Sequence, residues 1–325
     1  MVCDLCPHMC RIAVGNFGRC RVRRATNEGI DATGYGQMSS VGIDPIEKKP
    51  LYHFLPGTTI FSIGGWGCNM SCSFCQNWSI SQRGVGDGHK FTPNETVEHA
   101  IRSKSIGIAY TYNEPIINFE FVLDCAKLAS DAGLANVLVT NGYICPEPAA
   151  ELIPYMNAIN IDIKSMDNSF YKTHCGASLK PVLDFAVQAF RAGCHVELTN
   201  LLIPDLNDSA NIVRDMANWI SSELSVDTVL HLSAYHPQYK LRKPPTSIET
   251  LKQAFDICSK TLHYVYLGNI YSDDGQSTWC PNCGNLLVAR RGYTTEIRGI
   301  DSSGRCATCG ALTNIVMNID QQRTG

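Results

Sequence analysis

Three cysteines within eight residues, Cys68-x3-Cys72-x2-Cys75, follow the apolar run Thr58 to Ile63 and a glycine-rich approach, Gly64-Gly65-Trp66-Gly67. A single loop presenting three thiols this closely is suited to wrapping a metal centre, and its glycines supply the positive-φ geometry and close backbone approach that the wrapping needs. Three, not four, is the informative count. A cuboidal [4Fe-4S] cluster has four irons, so three thiolates leave one iron open to an external ligand, just as a catalytic metal differs from a structural one by keeping a vacant position. The rival readings are a zinc site that borrows a fourth ligand from elsewhere, and three unrelated buried thiols.

The remaining cysteines support metal ligation. The chain has 16 cysteines in 325 residues. That is many for an ordinary cytosolic enzyme, while a secreted disulfide scaffold would be far shorter. Cys280-x2-Cys283 and Cys306-x2-Cys309, separated by 22 residues, form a paired-knuckle pattern for tetrahedral thiolate coordination, by zinc in a ribbon or by a rubredoxin-like mononuclear iron. Cys3, Cys6, Cys10 and Cys20 form a less regular set, with Gly15 and Gly18 bending the return loop; it suits zinc or an auxiliary iron-sulfur cluster. Cys125, Cys145, Cys175, Cys194 and Cys258 are scattered. Of these, Cys145 and Cys175 follow strands and could approach the site, although an inert buried thiol is the commoner outcome.

From Thr58 onward, β-rich runs alternate with helical segments, the mark of repeated βα units on a parallel sheet. The expected strands are Thr58–Ile63, Ile106–Thr111, Asn136–Thr140, Ala158–Ile163, His195–Leu201, Thr228–Ala234 and His263–Leu267. Thr92-Pro93-Asn94-Glu95 and Thr246-Ser247-Ile248-Glu249 read as capping boxes, and Gly133 and Gly193 as left-handed helix ends. The fold expected is α/β, a partial (β/α)6-type TIM barrel, with an open doubly wound sheet as the alternative. Three parts follow: 1–57, an N-terminal four-cysteine segment and lead-in; 58–270, the barrel; and 271–325, a C-terminal four-cysteine ribbon. In either architecture, chemistry belongs at the C-terminal ends of the strands.

A formal net charge of -3 gives no field that would steer the molecule onto nucleic acid or an anionic bilayer. Arg290, Arg291, Arg298 and Arg305 are too few to make the ribbon a basic surface. No apolar stretch approaches the roughly 20 residues of a transmembrane helix. Met1 to Arg24 carries cysteines and arginines where a signal peptide would be apolar, so the expected location is cytoplasmic.

The motifs together resemble the radical S-adenosylmethionine superfamily, in the branch of the pyruvate formate-lyase activating enzyme and, more narrowly, the AmmeMemoRadiSam-system radical enzymes. The resemblance rests on Cys3-Asp4-Leu5-Cys6-Pro7-His8, the stretch Pro45 to Gly57, Phe74-Cys75-Gln76-Asn77-Trp78, Tyr110-Thr111-Tyr112-Asn113-Glu114-Pro115 and the terminal cysteine pairs. It implies a [4Fe-4S] cluster on Cys68, Cys72 and Cys75 whose open iron takes S-adenosylmethionine. Reductive cleavage of that cosubstrate yields a 5'-deoxyadenosyl radical that abstracts hydrogen from a substrate.

The resemblance also implies cosubstrate contacts. Phe74 would flank the adenine, and Tyr112, Asn113 and Glu114 occupy the place of a Gly-Gly-Glu-Pro that receives the methionine amino group. Thr140-Asn141-Gly142 and Asp162-Ile163-Lys164 would hold the cosubstrate's methionine end, with Lys164 neutralising the carboxylate. Thr199 and His236 complete the set, and Val139 stands where an acidic ligand of a monovalent cation would be expected. Taken singly, Thr140-Asn141-Gly142 is an ordinary turn, Lys164 a surface lysine and His236 a loop histidine; their common place after successive strands is what joins them. The partners implied are a small-molecule or protein substrate, an electron donor such as flavodoxin or ferredoxin, and Memo-like and Ammecr-like proteins. Two rival functions stand beside this oxidoreductase: an activase that abstracts hydrogen from a glycine of a partner protein, and a non-catalytic iron-sulfur or zinc scaffold.

Overall fold

Seven parallel strands line up in the order in which the sequence presents them. In the computed structural model, which describes residues 1–270 and 274–319, these are β2 (Thr59–Gly64), β3 (Gly107–Tyr110), β4 (Ala135–Thr140), β5 (Ala158–Asp162), β6 (His195–Leu202), β7 (Val229–Ala234) and β8 (Val265–Gly268). Each expected strand is present, displaced by at most two residues at either end. All four residues of β3 are buried, and β4 and β5 each expose part of one residue, as strands covered on both faces do.

The sequence reading missed one member of the sheet. β1 (Ser40–Pro45) runs antiparallel to β2, with Val41 opposite Ile63 and Ile43 opposite Phe61. Its Gly42, Asp44 and Pro45 break the apolar alternation that marks a strand. The 1–57 segment therefore contributes an edge strand to the central sheet. The strand order β8-β7-β6-β5-β4-β3-β2-β1 has no reversal point, unlike a doubly wound sheet, and its first and last strands are not paired.

The helices between the strands are α1 (Pro93–Arg102), α2 (Phe119–Asp131), α3 (Pro146–Leu152), α4 (Leu179–Arg191), α5 (Ala210–Glu223) and α6 (Ile248–Cys258). Thr92 and Glu95 form the expected reciprocal cap of α1, with Pro93 in the first helical position. At α6 the expected box is shifted by one residue. Ser247, not Thr246, caps the helix by accepting from the Thr250 N–H, because the Thr246 hydroxyl instead donates to the Leu202 carbonyl and accepts from the Tyr235 N–H. Gly133 and Gly193, at φ 73° and 81°, end α2 and α4 as expected.

The C-terminal piece is a three-stranded antiparallel sheet of β9 (Thr278–Trp279), β10 (Leu286–Arg291) and β11 (Thr294–Ile297). The expected boundary at Tyr271 lies outside the described residues. A buried hydrogen-bond chain fastens this piece to the parallel sheet: Arg290 donates to the Thr278 hydroxyl at 2.7 Å and to the Tyr52 carbonyl at 2.5 Å, Thr278 meets Tyr266 at 2.7 Å, and Tyr266 meets His53 at 2.6 Å. The other nitrogen of His53 bonds Asn314. Among the described residues no helix is long and apolar enough to cross a membrane.

Candidate active site

Glycines at the end of β2 and in the loop after it sit where a Cβ has no room. Gly67 has φ 78°, and a Cβ on it would lie 2.3 Å from the Cys20 carbonyl; on Gly64 one would meet Tyr112 at 2.8 Å. Asn113 clamps the approach, accepting from Gly65 N–H at 2.8 Å and donating to the Gly67 carbonyl at 3.0 Å. A second clamp comes from the turn before α4, where Ser71 and Ser73 N–H groups donate to the carbonyls of Cys175 and His174, each at 2.8 Å.

The three thiols open onto one cavity of about 550 Å³ at the C-terminal ends of the parallel strands. Each sulfur has a donor or a polar neighbour. Cys68 Sγ accepts from Met70 N–H at 3.3 Å and has Asn141 Nδ2 at 3.6 Å; Cys75 Sγ lies 3.1 Å from Ser81 Oγ; and Cys72 has the Cys175 thiol as its neighbour. The bond from Cys175, assisted by the charge of Lys164, lowers the Cys72 pKa, while burial raises those of Cys68 and Cys75.

Most of the side chains singled out in the sequence gather around this cavity. Phe74, Tyr112, Asn113, Glu114, Thr140, Asn141, Asp162, Lys164 and Thr199 all line it, as does Val139. Glu114 is fully buried and burial pushes its carboxyl up to about 7, although it accepts from Thr140 Oγ1 at 2.7 Å, Asn141 N–H at 2.8 Å and Ile116 N–H at 3.1 Å. Lys164 Nζ lies 2.7 Å from Asp162 Oδ2; burial would lower its pKa, but the charges of Asp162 and Cys72 outweigh burial and hold the ammonium protonated. Tyr112 takes φ 67°, a left-handed conformation, with its hydroxyl donating to Asp44 at 2.5 Å and its carbonyl accepting from Asn77 at 2.6 Å. Phe74 packs against Phe170, ring centroids 5.8 Å apart. Thr199 donates to Asn160 Oδ1 at 2.9 Å.

His236 stands apart. It is exposed, 3.3 Å from the Asn269 carbonyl, and lines an adjoining cavity of about 760 Å³ that shares Lys48, Pro50, Gln76, Ser233, Asn269 and Tyr293 with the first. After Pro237 the chain returns to the thiol loop, where the Lys240 and Leu241 N–H groups both donate to the Ser73 carbonyl at 2.9 Å.

Several site residues escaped the sequence reading. Lys48 and Lys49 enter from the segment after β1, with Asp44 bridging both at 2.8 and 2.5 Å. Burial would raise the Asp44 carboxyl, but the hydrogen bonds from Lys48, Lys49 and Tyr112 hold it well below the ordinary range. Lys49 Nζ also sits 4.9 Å above the Tyr112 ring. Tyr293 reaches the cavity from the turn between β10 and β11. No local spacing announces these residues; the two neighbouring lysines were the available signal.

The other two cysteine groups differ in compactness. Cys280, Cys283, Cys306 and Cys309 place their sulfurs within 4.8 Å of one another, with Cys280 to Cys309 at 3.7 Å and Cys283 to Cys306 at 3.6 Å. Among the described residues this is the one set of at least three such donors drawn that close. Cys3 and Cys10 face each other across a short ladder, and Cys6, pushed up to about 12 by burial, also feels the thiols of Cys10, Cys20 and Cys3.

The sequence profile of the Radical SAM superfamily matches residues 63–216, the span from the end of β2 into α5. An uncharacterized protein of Methanocaldococcus jannaschii is 43% identical over 320 residues, covering 97% of this chain and 95% of its own. The pyruvate formate-lyase-activating enzyme of Clostridium pasteurianum is 27% identical over 179 residues, 52% of this chain and 72% of that one. In fold the chain is similar to a radical SAM methyltransferase from Sphaerobacter thermophilus, with a TM-score of 0.53 at 16% identity over 68% of this chain and 70% of the other. A three-thiol loop at the head of a parallel sheet, together with these likenesses, places the chain in the radical SAM superfamily, with homology to pyruvate formate-lyase activating enzymes.

Proposed function

We propose that Cys68, Cys72 and Cys75 hold a [4Fe-4S] cluster, and that the chain reductively cleaves S-adenosylmethionine to abstract hydrogen from a substrate. The observation that carries this reading is the donor set: three thiols, each with a hydrogen-bonding neighbour, open onto a cavity large enough for a small-molecule ligand. When bound by these three thiols, a reduced cluster would supply the one electron that cleaves the sulfonium to methionine and a 5'-deoxyadenosyl radical.

The protein's part is to bind, orient and exclude water. Lys164, kept protonated at the cavity wall, is the point charge for the cosubstrate carboxylate. Residues 112–114, which line the thiols' cavity with Tyr112 held at positive φ, are the segment that would receive the methionine amino group. Glu114 acts from behind, fixing Thr140 and the Asn141 backbone. Phe74 supplies the apolar wall. The unreversed strand order supports a partial barrel as the frame.

A substrate too large for the first cavity would enter through the adjoining one, past Gln76, Asn269 and Tyr293. The homology to activating enzymes favours a second reading, in which that substrate is a glycine of a partner protein. The resemblance to AmmeMemoRadiSam-system enzymes favours Memo-like and Ammecr-like partners, with a low-potential flavodoxin or ferredoxin as reductant. Binding is the test. Adding S-adenosylmethionine to the reduced, reconstituted protein should shift the electron paramagnetic resonance of the cluster, and Lys164→Ala should weaken the affinity read from that shift about tenfold or more while leaving iron content intact. An unshifted spectrum in the wild type would overturn the reading, and unchanged affinity in the variant would retire Lys164.

A further inference from the structure

We propose that Cys3, Cys6, Cys10 and Cys20 hold a second iron-sulfur cluster, fully ligated by thiolates and seated directly against the catalytic loop.

The chain is folded to bring these four together. Cys3 and Cys10 are Cα partners in the ladder of Val2–Cys3 with Cys10–Arg11, and Met9, at φ 45°, closes the turn between them by donating to the Cys6 carbonyl at 3.0 Å. Gly18 brings the return loop against Cys10, so close that a Cβ on Gly18 would lie 3.7 Å from that of Cys10, two residues before Cys20. Cys3, Cys6 and Cys20 are buried and Cys10 is half-buried, so the four thiols are gathered within one shielded part of the segment.

Spacing selects the guest. Bonds of about 2.3 Å to one tetrahedral ion set sulfurs about 3.8 Å apart. The C-terminal four meet that condition, with pairs at 3.7 and 3.6 Å. The N-terminal four do not, and neither do the central three: among the described residues only the C-terminal set lies within 4.8 Å. A thiol set that is not drawn to single-ion spacing suits a guest larger than one ion, with inorganic sulfide between several irons.

Position supplies the second argument. The residues between the N-terminal thiols touch the residues between the central ones. His8 Nε2 lies 2.8 Å from the carbonyl of Asn69, the neighbour of Cys68, and Arg19 donates to Ser71 Oγ at 3.2 Å. The Cys20 carbonyl packs on Gly67, and the Leu5 carbonyl accepts from Cys145 N–H at 3.0 Å. Direct hydrogen bonds therefore join the two cysteine loops. A zinc ion at this place would only pin the terminus.

Four thiolates leave no iron open, so this cluster exchanges electrons and nothing else. One electron enters from a low-potential protein reductant and leaves to the central loop, with no bond made or broken and no proton moved at the N-terminal thiols. This role, unlike the site itself, rests on the function proposed for Cys68, Cys72 and Cys75.

The test counts iron, sulfide and zinc after anaerobic reconstitution of the full chain with ferrous iron and sulfide. The triple variant Cys68→Ala, Cys72→Ala, Cys75→Ala should retain about four irons and four sulfides, with a reduced-state resonance that S-adenosylmethionine does not perturb. Cys6→Ser with Cys20→Ser should lose those and keep the central cluster. A triple variant without sulfide, carrying one more zinc than the tail accounts for, would overturn the proposal. If the Cys6→Ser, Cys20→Ser protein fails to fold, the count on the triple variant decides alone. Failure of the central reading shows differently: the wild type would then hold no more sulfide than the triple variant.

Discussion

Asn141 Nδ2 lies 3.6 Å from the sulfur of Cys68, so one side chain joins the end of β4 to the first thiol of the loop after β2. The same amide donates to Asn69 Oδ1 at 2.9 Å, its oxygen accepts from Tyr143 N–H at 2.9 Å, and its backbone N–H donates to Glu114. Asn141 thus ties the thiol loop, the Glu114 segment and the β4 turn into one unit before any cofactor arrives.

Removing that tie should be costly even in the metal-free protein. Asn141→Ala leaves the Tyr143 N–H and the Asn69 oxygen buried with a lost partner, about 1–3 kcal/mol for each group left dry. Urea unfolding of the metal-free chain measures it. A loss below about 0.5 kcal/mol, within the range of an ordinary surface substitution, would show that the tie is not made in solution.

Two glycine substitutions separate backbone conformation from close approach. Gly133→Ala, at φ 73° with nothing within 4 Å, should lose only the left-handed penalty of about 1–2 kcal/mol. Gly67→Ala, at φ 78° against the Cys20 carbonyl, should lose more and should also lower the iron retained after reconstitution. Equal losses in the two variants would contradict the packing of Gly67 on Cys20.

His53 gives the fold a pH dependence remote from the thiols. Fully buried, its imidazole is held down to about 3 from an ordinary 6.5, and its two nitrogens are used by Asn314 and Tyr266. The unfolded chain binds this proton and the folded chain does not, so stability is full above about pH 6.5 and falls as pH drops toward 3, by at most about 1.4 kcal/mol per pH unit. Glu197 acts in the same sense: burial would raise its carboxyl, but hydrogen bonds with His195 and His231 hold it low. Its loss begins nearer the carboxylate range. The difference in stability between wild type and His53→Gln, followed from pH 7 to 5, should therefore narrow as pH falls; a constant difference would contradict a neutral His53.

The C-terminal thiols lend themselves to a direct count. With sulfurs at single-ion spacing, Cys283→Ser should remove one zinc or iron per chain and leave the β9–β11 piece open to proteolysis. An unchanged metal count would remove this site.

Much of this arrangement was legible because each signal was local. Seven strands announced themselves through runs of Ile, Val and Leu, and the Cys68 loop, Glu114, Asn141 and Lys164 each sit within a few residues of a strand end, where a parallel sheet must gather them. What was illegible depends on distant partners. β1 reads as a loop by its Gly42 and Pro45, and becomes a strand because β2 offers an unpaired edge. Thr246 loses the cap of α6 to Ser247 because the Leu202 carbonyl claims its hydroxyl. Cys175 was legible only as a thiol that follows a strand and could approach the site; its place beside Cys72 is set by the turn before α4. His236 follows a strand as the others do, yet its side chain is exposed and lines the adjoining cavity.

The central claim is that this three-thiol loop holds a cluster that cleaves S-adenosylmethionine, and product release tests it most directly. Anaerobically reconstituted wild-type protein with reductant should form 5'-deoxyadenosine, and Cys72→Ala should form none above the protein-free background. Equal release by the variant, or none by a wild type shown to carry its iron and sulfide, would contradict the account.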